Sequence, residues 1–261
     1  MTHPIRPYAL SIAGFDPSAG AGLLADVKTL EAYGVYGLGA CTALTVQNDM
    51  TFERVSWVPT VEIRDQIQIL FARFKVDFIK IGLVESLAQL LELVRWMKSQ
   101  NSSLQIIWDP VLKATAGYEF HLAPDQELVR ALCSEVALIT PNQPEMLRLW
   151  PADSAETAAR VVSRFCPVLL KGGHATGDLA TDVLLAEGAR HEFSVPRLAH
   201  GEKHGSGCVL SAAVLAGLAK GQGLVDACRL AKGYTSAFLG SNETLLGFHS
   251  INGYEPALHF V

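Results

Sequence analysis

Residues 8–34 read YALSIAGFDPSAGAGLLADVKTLEAYG. An apolar run, residues 8–13, opens the stretch, and a glycine-rich turn, residues 14–22, follows it. Leu23, Leu24, Val27 and Leu30 then recur with helical spacing before Gly34. A strand that feeds a helix through a tight turn is the unit of a parallel sheet covered by helices. Downstream, candidate strands at 39–46, 78–81, 104–108, 137–140, 168–170 and 181–185 alternate with segments of helical period. Ile63, Ile67, Leu70, Phe71 and Phe74 give one buried helix face, and Leu87, Leu90, Leu91, Val94 and Met97 give another. The expected fold is α/β, with a mostly parallel central sheet. No internal repeat, low-complexity tract or long linker breaks the pattern, so residues 1–261 read as a single domain.

Hydrophobic residues make up 49% of the 261 positions and charged residues 18%, enough to bury a sizeable core and to argue against disorder. A net charge of −5, with no basic block, makes nucleic acid and anionic membrane surfaces poor partners. The start shows no charged segment followed by a long apolar one, so no signal peptide is expected, and no uncharged apolar stretch reaches membrane-spanning length. Cys41, Cys133, Cys166, Cys208 and Cys228 are scattered without a CxxC pair. They read as reduced thiols in a cytoplasmic protein.

Ligands in such folds bind beyond the carboxyl ends of the strands. Here those ends read AGFDPSAGAG, TVQND, KIGLV, WDPV, TPNQPE and LKGGH. Gly20 to Ala25 fits GxGxxA, the dinucleotide fingerprint, but Gly20 lies six residues after Gly14, and Gln47-Asn48 offers no acid for a ribose hydroxyl. No Lys-Ser/Thr follows, so it is not a P-loop, and taken alone it is a tight turn. HGSGC, residues 204–208, opens a stretch that is apolar nearly all round. Gly205 and Gly207 leave room for a ligand, and the first-turn N–H groups favour an anion. A cysteine at that place should have a depressed pKa and could act as base or nucleophile. The plainer reading is a small thiol capping a core helix, and the flanking glycines favour function. Asn142 and Glu145 in TPNQPE could hold magnesium through its waters or simply start a helix. Asp109 sits at a strand end before proline, where a turn former is the plainer reading, and Lys171 meets a phosphate or reaches solvent. His204 reads as positional.

In order, SIAGFDPSAGAGLLADVKTLEAYGVYGLGACTALTVQN, KIGLV, DPVL, LITPNQPE, VLLKGGH and HGSGCVLSAAVLAGLAKG resemble the hydroxymethylpyrimidine/phosphomethylpyrimidine kinases of thiamine biosynthesis, within the ribokinase-like superfamily. The resemblance spans roughly residues 8–239. It implies a three-layer α/β/α sandwich, often a homodimer, that uses ATP and Mg2+ to phosphorylate a small pyrimidine twice. By it, Gly14, Asp16, Ala21, Asp26, Gln47 and Val111 would bind the pyrimidine, and Gly205, Ser206 and Gly207 would form the anion hole, with Cys208 as the base. Lys171, Asn142 and Lys113 would meet ATP, and Asp109 and Glu145 the metal. Where the family commonly has NTHGTGC this chain has EKHGSGC, and its C-terminus lacks the usual GHGP. Pyridoxal kinase is the nearest alternative. A silent pyrimidine- or nucleotide-binding protein would lack the base, and a cysteine hydrolase would want partners that are not evident.

Overall fold

A computed structural model describes residues 6–112, 124–172, 177–199 and 202–249. In chain order the elements are β1 (Tyr8–Phe15), α1 (Gly22–Ala32), β2 (Tyr36–Gln47), β3 (Phe52–Trp57), α2 (Thr60–Arg73), β4 (Val76–Ile81), α3 (Leu87–Gln100), β5 (Gln105–Trp108) and α4 (Gln126–Cys133). They continue as β6 (Leu138–Ile139), α5 (Gln143–Leu149), α6 (Ala155–Val162), β7 (Val168–Leu170), β8 (Leu179–Ala186), β9 (Ala189–Pro196), α7 (Ser206–Ala219) and α8 (Leu224–Leu239). The strands form one sheet in the order β3-β2-β1-β4-β5-β6-β7-β8-β9. Its centre, from β2 to β7, is parallel, and antiparallel strands close both edges.

Side chains of alternate strand residues face opposite layers, as the pleat requires. Leu10, Ile12, Ile106, Trp108 and Ile139 pack with Ile63 of α2, Leu90 of α3, Val129 of α4 and Met146 of α5. Ala9, Ile107 and Leu138 face the other way, onto Leu30 of α1 and the apolar α7 and α8. The helix α7 is buried from Val209 to Gly217, which explains why it is apolar all round.

Two strands were not expected. β3 (FERVSW) is at most half-buried and carries charge, so its alternation is masked. β9 pairs with β8 through the two-residue turn Glu187-Gly188, both at positive φ (53° and 77°), a hairpin geometry set by backbone and not by side-chain periodicity. The expected strand at 181–185 is therefore antiparallel to β7 and longer than the apolar run.

β1 connects through α1 to β2 on one side, while β4 lies on its other side. Chain direction across the sheet reverses there, the place at which open α/β sheets take their ligands beyond the carboxyl ends of the strands.

Candidate active site

Hydrogen bonds and ion pairs there link residues of β1, β4, β5, β6 and β7, or of the loops that follow them, with the start of α7. The loop after β1 is built around Asp16. Its carboxylate accepts hydrogen bonds from the Ser18 N–H (2.9 Å) and hydroxyl (2.8 Å), from the N–H groups of Gly20 (3.1 Å) and Ala21 (2.9 Å), and pairs with His204 Nε2 (2.9 Å). Burial opposes the charged carboxylate, but the bonds from His204 and Ser18 prevail and hold its pKa below the ordinary value. Asp16, expected to touch the pyrimidine, thus spends its oxygens on shaping the loop.

The loop then packs on the turn before α7. Gly205, the residue before the helix, has φ 77°, and a Cβ there would collide with the Gly20 carbonyl and stand 2.7 Å from Ala21 Cα. Only glycine permits both the left-handed backbone and that approach. Gly22 is alike: at φ 59°, a Cβ on it would run into the Gly14 carbonyl. Gly14 itself faces Leu83 after β4, where a Cβ would stand 3.0 Å from Leu83 Cδ2.

Below the loop runs a row of buried charges. Asp26 of α1 accepts from Ser11 (2.6 Å) and, with both oxygens, from Lys80 of β4 (2.9 Å each). Lys80 Nζ is also 3.6 Å from Asp109 Oδ2, beyond β5. The other Asp109 oxygen accepts from Thr140 (3.0 Å) and from Lys171 (2.9 Å), and Ser211 of α7 donates to Oδ2 (3.1 Å). Lys171 Nζ reaches within 3.8 Å of Glu145. Acid and base therefore alternate across the sheet from Asp26 to Glu145. Burial would discharge the two lysines, but Asp26 on one and Asp109 on both hold their pKa values well above the ordinary amine. Asp109 is depressed in turn: burial works against its charge, and Lys171 and Lys80 overcome it.

Asn142 and Glu145 form a reciprocal cap on α5. The Asn142 oxygen accepts from the Glu145 N–H and Glu145 Oε2 from the Asn142 N–H, each at 2.8 Å. Burial raises the Glu145 pKa against the pull of Lys171. The segment thus starts a helix, and the cap aims the Glu145 carboxylate at Lys171.

Lys171 Nζ also stands 3.1 Å from where a Cβ on Gly207 would lie, so the ammonium faces the first turn of α7. Ser206, Gly207 and half-buried Cys208 form that turn. The thiol pKa differs from expectation. Burial pushes it up to about 11, although Lys80 and the Gly22 N–H pull it down. The helix start does not offset desolvation and two nearby carboxylates.

Gln47 ends β2, half-buried, and among the described residues its carboxamide has no hydrogen-bond partner. Val111 follows Asp109 and donates its N–H to the Asp109 carbonyl (2.9 Å). Lys113 lies outside the described residues. Lys80, Ser11, Thr140 and Ser211 are site residues that the sequence reading passed over. A lysine inside the apolar strand VDFIKI was the available signal for the first. Among the described residues, no three His, Cys, Asp or Glu side chains gather as a metal cluster. No described helix is long and apolar enough to cross a membrane.

The chain matches the family model described as phosphomethylpyrimidine kinase over residues 16–251. It is 36% identical to a hydroxymethylpyrimidine/phosphomethylpyrimidine kinase from Rhizobium meliloti, covering 97% of this chain and 96% of the relative. The phosphomethylpyrimidine kinase structure from Clostridium difficile is similar, with a TM-score of 0.73, 30% identity and coverage of 88% of this chain and 98% of the other. A pyridoxal kinase from Bacillus subtilis, solved as an ADP complex, shares the architecture at a TM-score of 0.75 and 28% identity, covering 90% and 92% of the two chains. With that extent of match, the chain is a phosphotransferase and belongs to the phosphomethylpyrimidine kinase family.

Proposed function

We propose that this kinase transfers the γ-phosphoryl group of ATP to the hydroxymethyl oxygen of 4-amino-5-hydroxymethyl-2-methylpyrimidine, and then to the resulting phosphate ester, giving the diphosphate used in thiamine biosynthesis. The observation that carries the reading is the approach of Lys171 to Gly207, one residue before Cys208. A cation, a helix start and a proton acceptor thereby face one small volume. Phosphoryl transfer asks for alignment and charge stabilisation more than covalent chemistry.

In the first step the alcohol oxygen attacks the γ-phosphorus, the bond to the β-phosphate oxygen breaks, and ADP leaves. The alcohol proton passes to the Cys208 sulfur in that fraction of the enzyme whose thiol has already lost its own proton to solvent. Gly205, Ser206 and Gly207 hold the moving group, Lys171 neutralises its charge, and Lys80 supports the thiolate from behind. Gln47 reads the pyrimidine edge from the end of β2, with Gly14, Ala21 and Val111 around the ring, while Asp26 acts through Lys80. Asn142 stands with Lys171 on the ATP side.

Asp109 does not fit as a direct metal ligand, because Thr140, Ser211, Lys171 and Lys80 already surround its carboxylate. Glu145 fits a magnesium ion held through its waters beside the ATP phosphates. Bound there, the ion would neutralise phosphate charge. No observation favours pyridoxal over the pyrimidine. We further infer a cytoplasmic homodimer, supported by the exposed apolar residues Leu44, Val46 and Met50 at the β2–β3 hairpin.

The test is incubation with the hydroxymethylpyrimidine and Mg-ATP, with mono- and diphosphate resolved over time and pyridoxal run in parallel. Sequential appearance of both phosphates is expected. Turnover of pyridoxal alone would overturn the assignment.

A further inference from the structure

The two residues before Gly205 are polar, yet both are buried: Lys203 is 5% exposed and His204 4%. The Lys203 ammonium donates to the Asn242 carbonyl (2.5 Å), to Asn242 Oδ1 (3.1 Å) and to the Thr244 carbonyl. Among the described residues no carboxylate pairs with it. Its three N–H donors meet three oxygens, so it sits as a small cation in an oxygen cage.

The cage belongs to residues 241–249, a strap that follows α8. Asn242 Oδ1 also accepts from the Thr244 N–H (2.8 Å), and Asn242 Nδ2 donates to the Leu246 carbonyl (2.9 Å). The strap lies on the catalytic turn. The His204 N–H donates to the Leu245 carbonyl (2.9 Å), and a Cβ on Gly20 would stand 2.7 Å from both Leu246 Cδ2 and His204 Cδ2. From there His204 Nε2 reaches Asp16 at 2.9 Å. Strap, turn and substrate loop are thus joined through two consecutive side chains.

We propose that Lys203 is a positioning residue for phosphoryl transfer: its caged ammonium ties the strap onto the turn that starts α7, and His204 carries that constraint to the Asp16 loop. The inference rests on the kinase reading for its effect on turnover, though not for its effect on the strap. A frame of N–H groups stabilises developing charge only when it is fixed in advance. Here the turn is a left-handed glycine pressed on Gly20, with no side-chain cap on the helix, so rigidity must come from its neighbours.

The experiment compares Lys203→Ala, which opens the cage, with Lys203→Met, which fills it. Misplacement of a catalytic frame by about 1 Å costs on the order of a hundredfold, so kcat should fall at least about tenfold in both, with KM for the pyrimidine little changed. Ammonium chloride should restore kcat saturably in Lys203→Ala, because a cage of carbonyl oxygens accepts a small cation. It should do nothing for Lys203→Met, and tetramethylammonium should rescue neither. Hydrogen exchange of the amides of residues 242–248 should speed up in both variants and slow again with ammonium in Lys203→Ala. Asn242→Ala, which keeps the lysine and removes one cage oxygen, should loosen the same amides should the Lys203 variants not fold. Unchanged kcat in both Lys203 variants, or unchanged exchange of the strap in any folded variant, would overturn the assignment. If the parent does not phosphorylate the pyrimidine, the exchange measurement still decides the clamp.

Discussion

Lys171 Nζ lies 3.1 Å from the point where a Cβ on Gly207 would stand, while Asp109 holds the same ammonium from the far side at 2.9 Å. The lysine has no room to withdraw, because Asp109 is itself fixed by Thr140 and Ser211. Gly207→Ala should therefore crowd the space for the transferred group and leave the fold intact. Misplacement of the transferred group by about 1 Å costs on the order of a hundredfold in kcat. Steady-state rates beside a thermal melt will check this, and a kcat within twofold of the parent would show that no phosphoryl group passes there.

The Cys208 thiol, pushed up to about 11, holds its proton at neutral pH. If its thiolate is the base, kcat/KM for the alcohol substrate should rise with pH from 7 to 10, since that quantity reports ionisation of the free enzyme. Cys208→Ala should flatten the rise and lower the rate by about 10²–10⁴. The phosphate ester attacks through an oxygen that is already anionic, so its rate should fall far less. Single-turnover rates for each substrate across pH would test it, and equal losses in both steps would retire the thiol as base.

The same thiol links stability to pH. Its proton is held in the folded chain above the ordinary 9.0, so its contribution is full below pH 9 and is lost as pH rises towards about 11. Denaturant melts of parent and Cys208→Ala should diverge only in that window.

Lys80 and Asp26 are fully buried and bonded twice at 2.9 Å. Lys80→Met should destabilise by about 3–5 kcal/mol, because it strands Asp26 and uncovers Asp109. Adding Asp26→Asn should recover part of the loss. Denaturation midpoints of the single and double variants give the coupling, and strictly additive losses would mean that the pair does not act as one unit.

Glu145→Gln keeps an oxygen for the Asn142 N–H and removes the charge facing Lys171. The magnesium concentration for half-maximal rate should rise about tenfold or more, as loss of an outer-shell carboxylate does elsewhere. The melting temperature should hardly move. Overlapping magnesium titrations would reduce Glu145 to a helix cap.

Gln47→Leu should raise the pyrimidine KM roughly ten- to a hundredfold, since a buried polar edge left unpaired costs about 1–3 kcal/mol. ATP affinity, measured in the same assay, should stay level.

Local sequence was enough to read the strands of the parallel centre of the sheet, the helices α1, α2 and α3, the buried character of α7 and the cluster of polar strand ends. Those are short-range matters: apolar periodicity and glycine turns are written within a dozen residues, and the order of the motifs carried the family. What the charged residues do is set by packing between distant segments. Lys80 finds Asp26 across 54 positions, Lys171 finds Asp109 across 62, and His204 finds Asp16 across 188. Asp16 looked like a ligand for substrate and is the hub of its own loop, because the turn brings three backbone N–H groups and a distant histidine onto it. Cys208 looked acidic from its place at a helix start, yet its pKa moves up, because desolvation and the carboxylates of Asp26 and Asp109 are products of packing. β3 and β9 exist because a neighbouring strand offers its edge, a condition that local pattern does not record. Periodicity reports which face of an element is buried; the energy of a buried charge depends on what the rest of the chain places beside it.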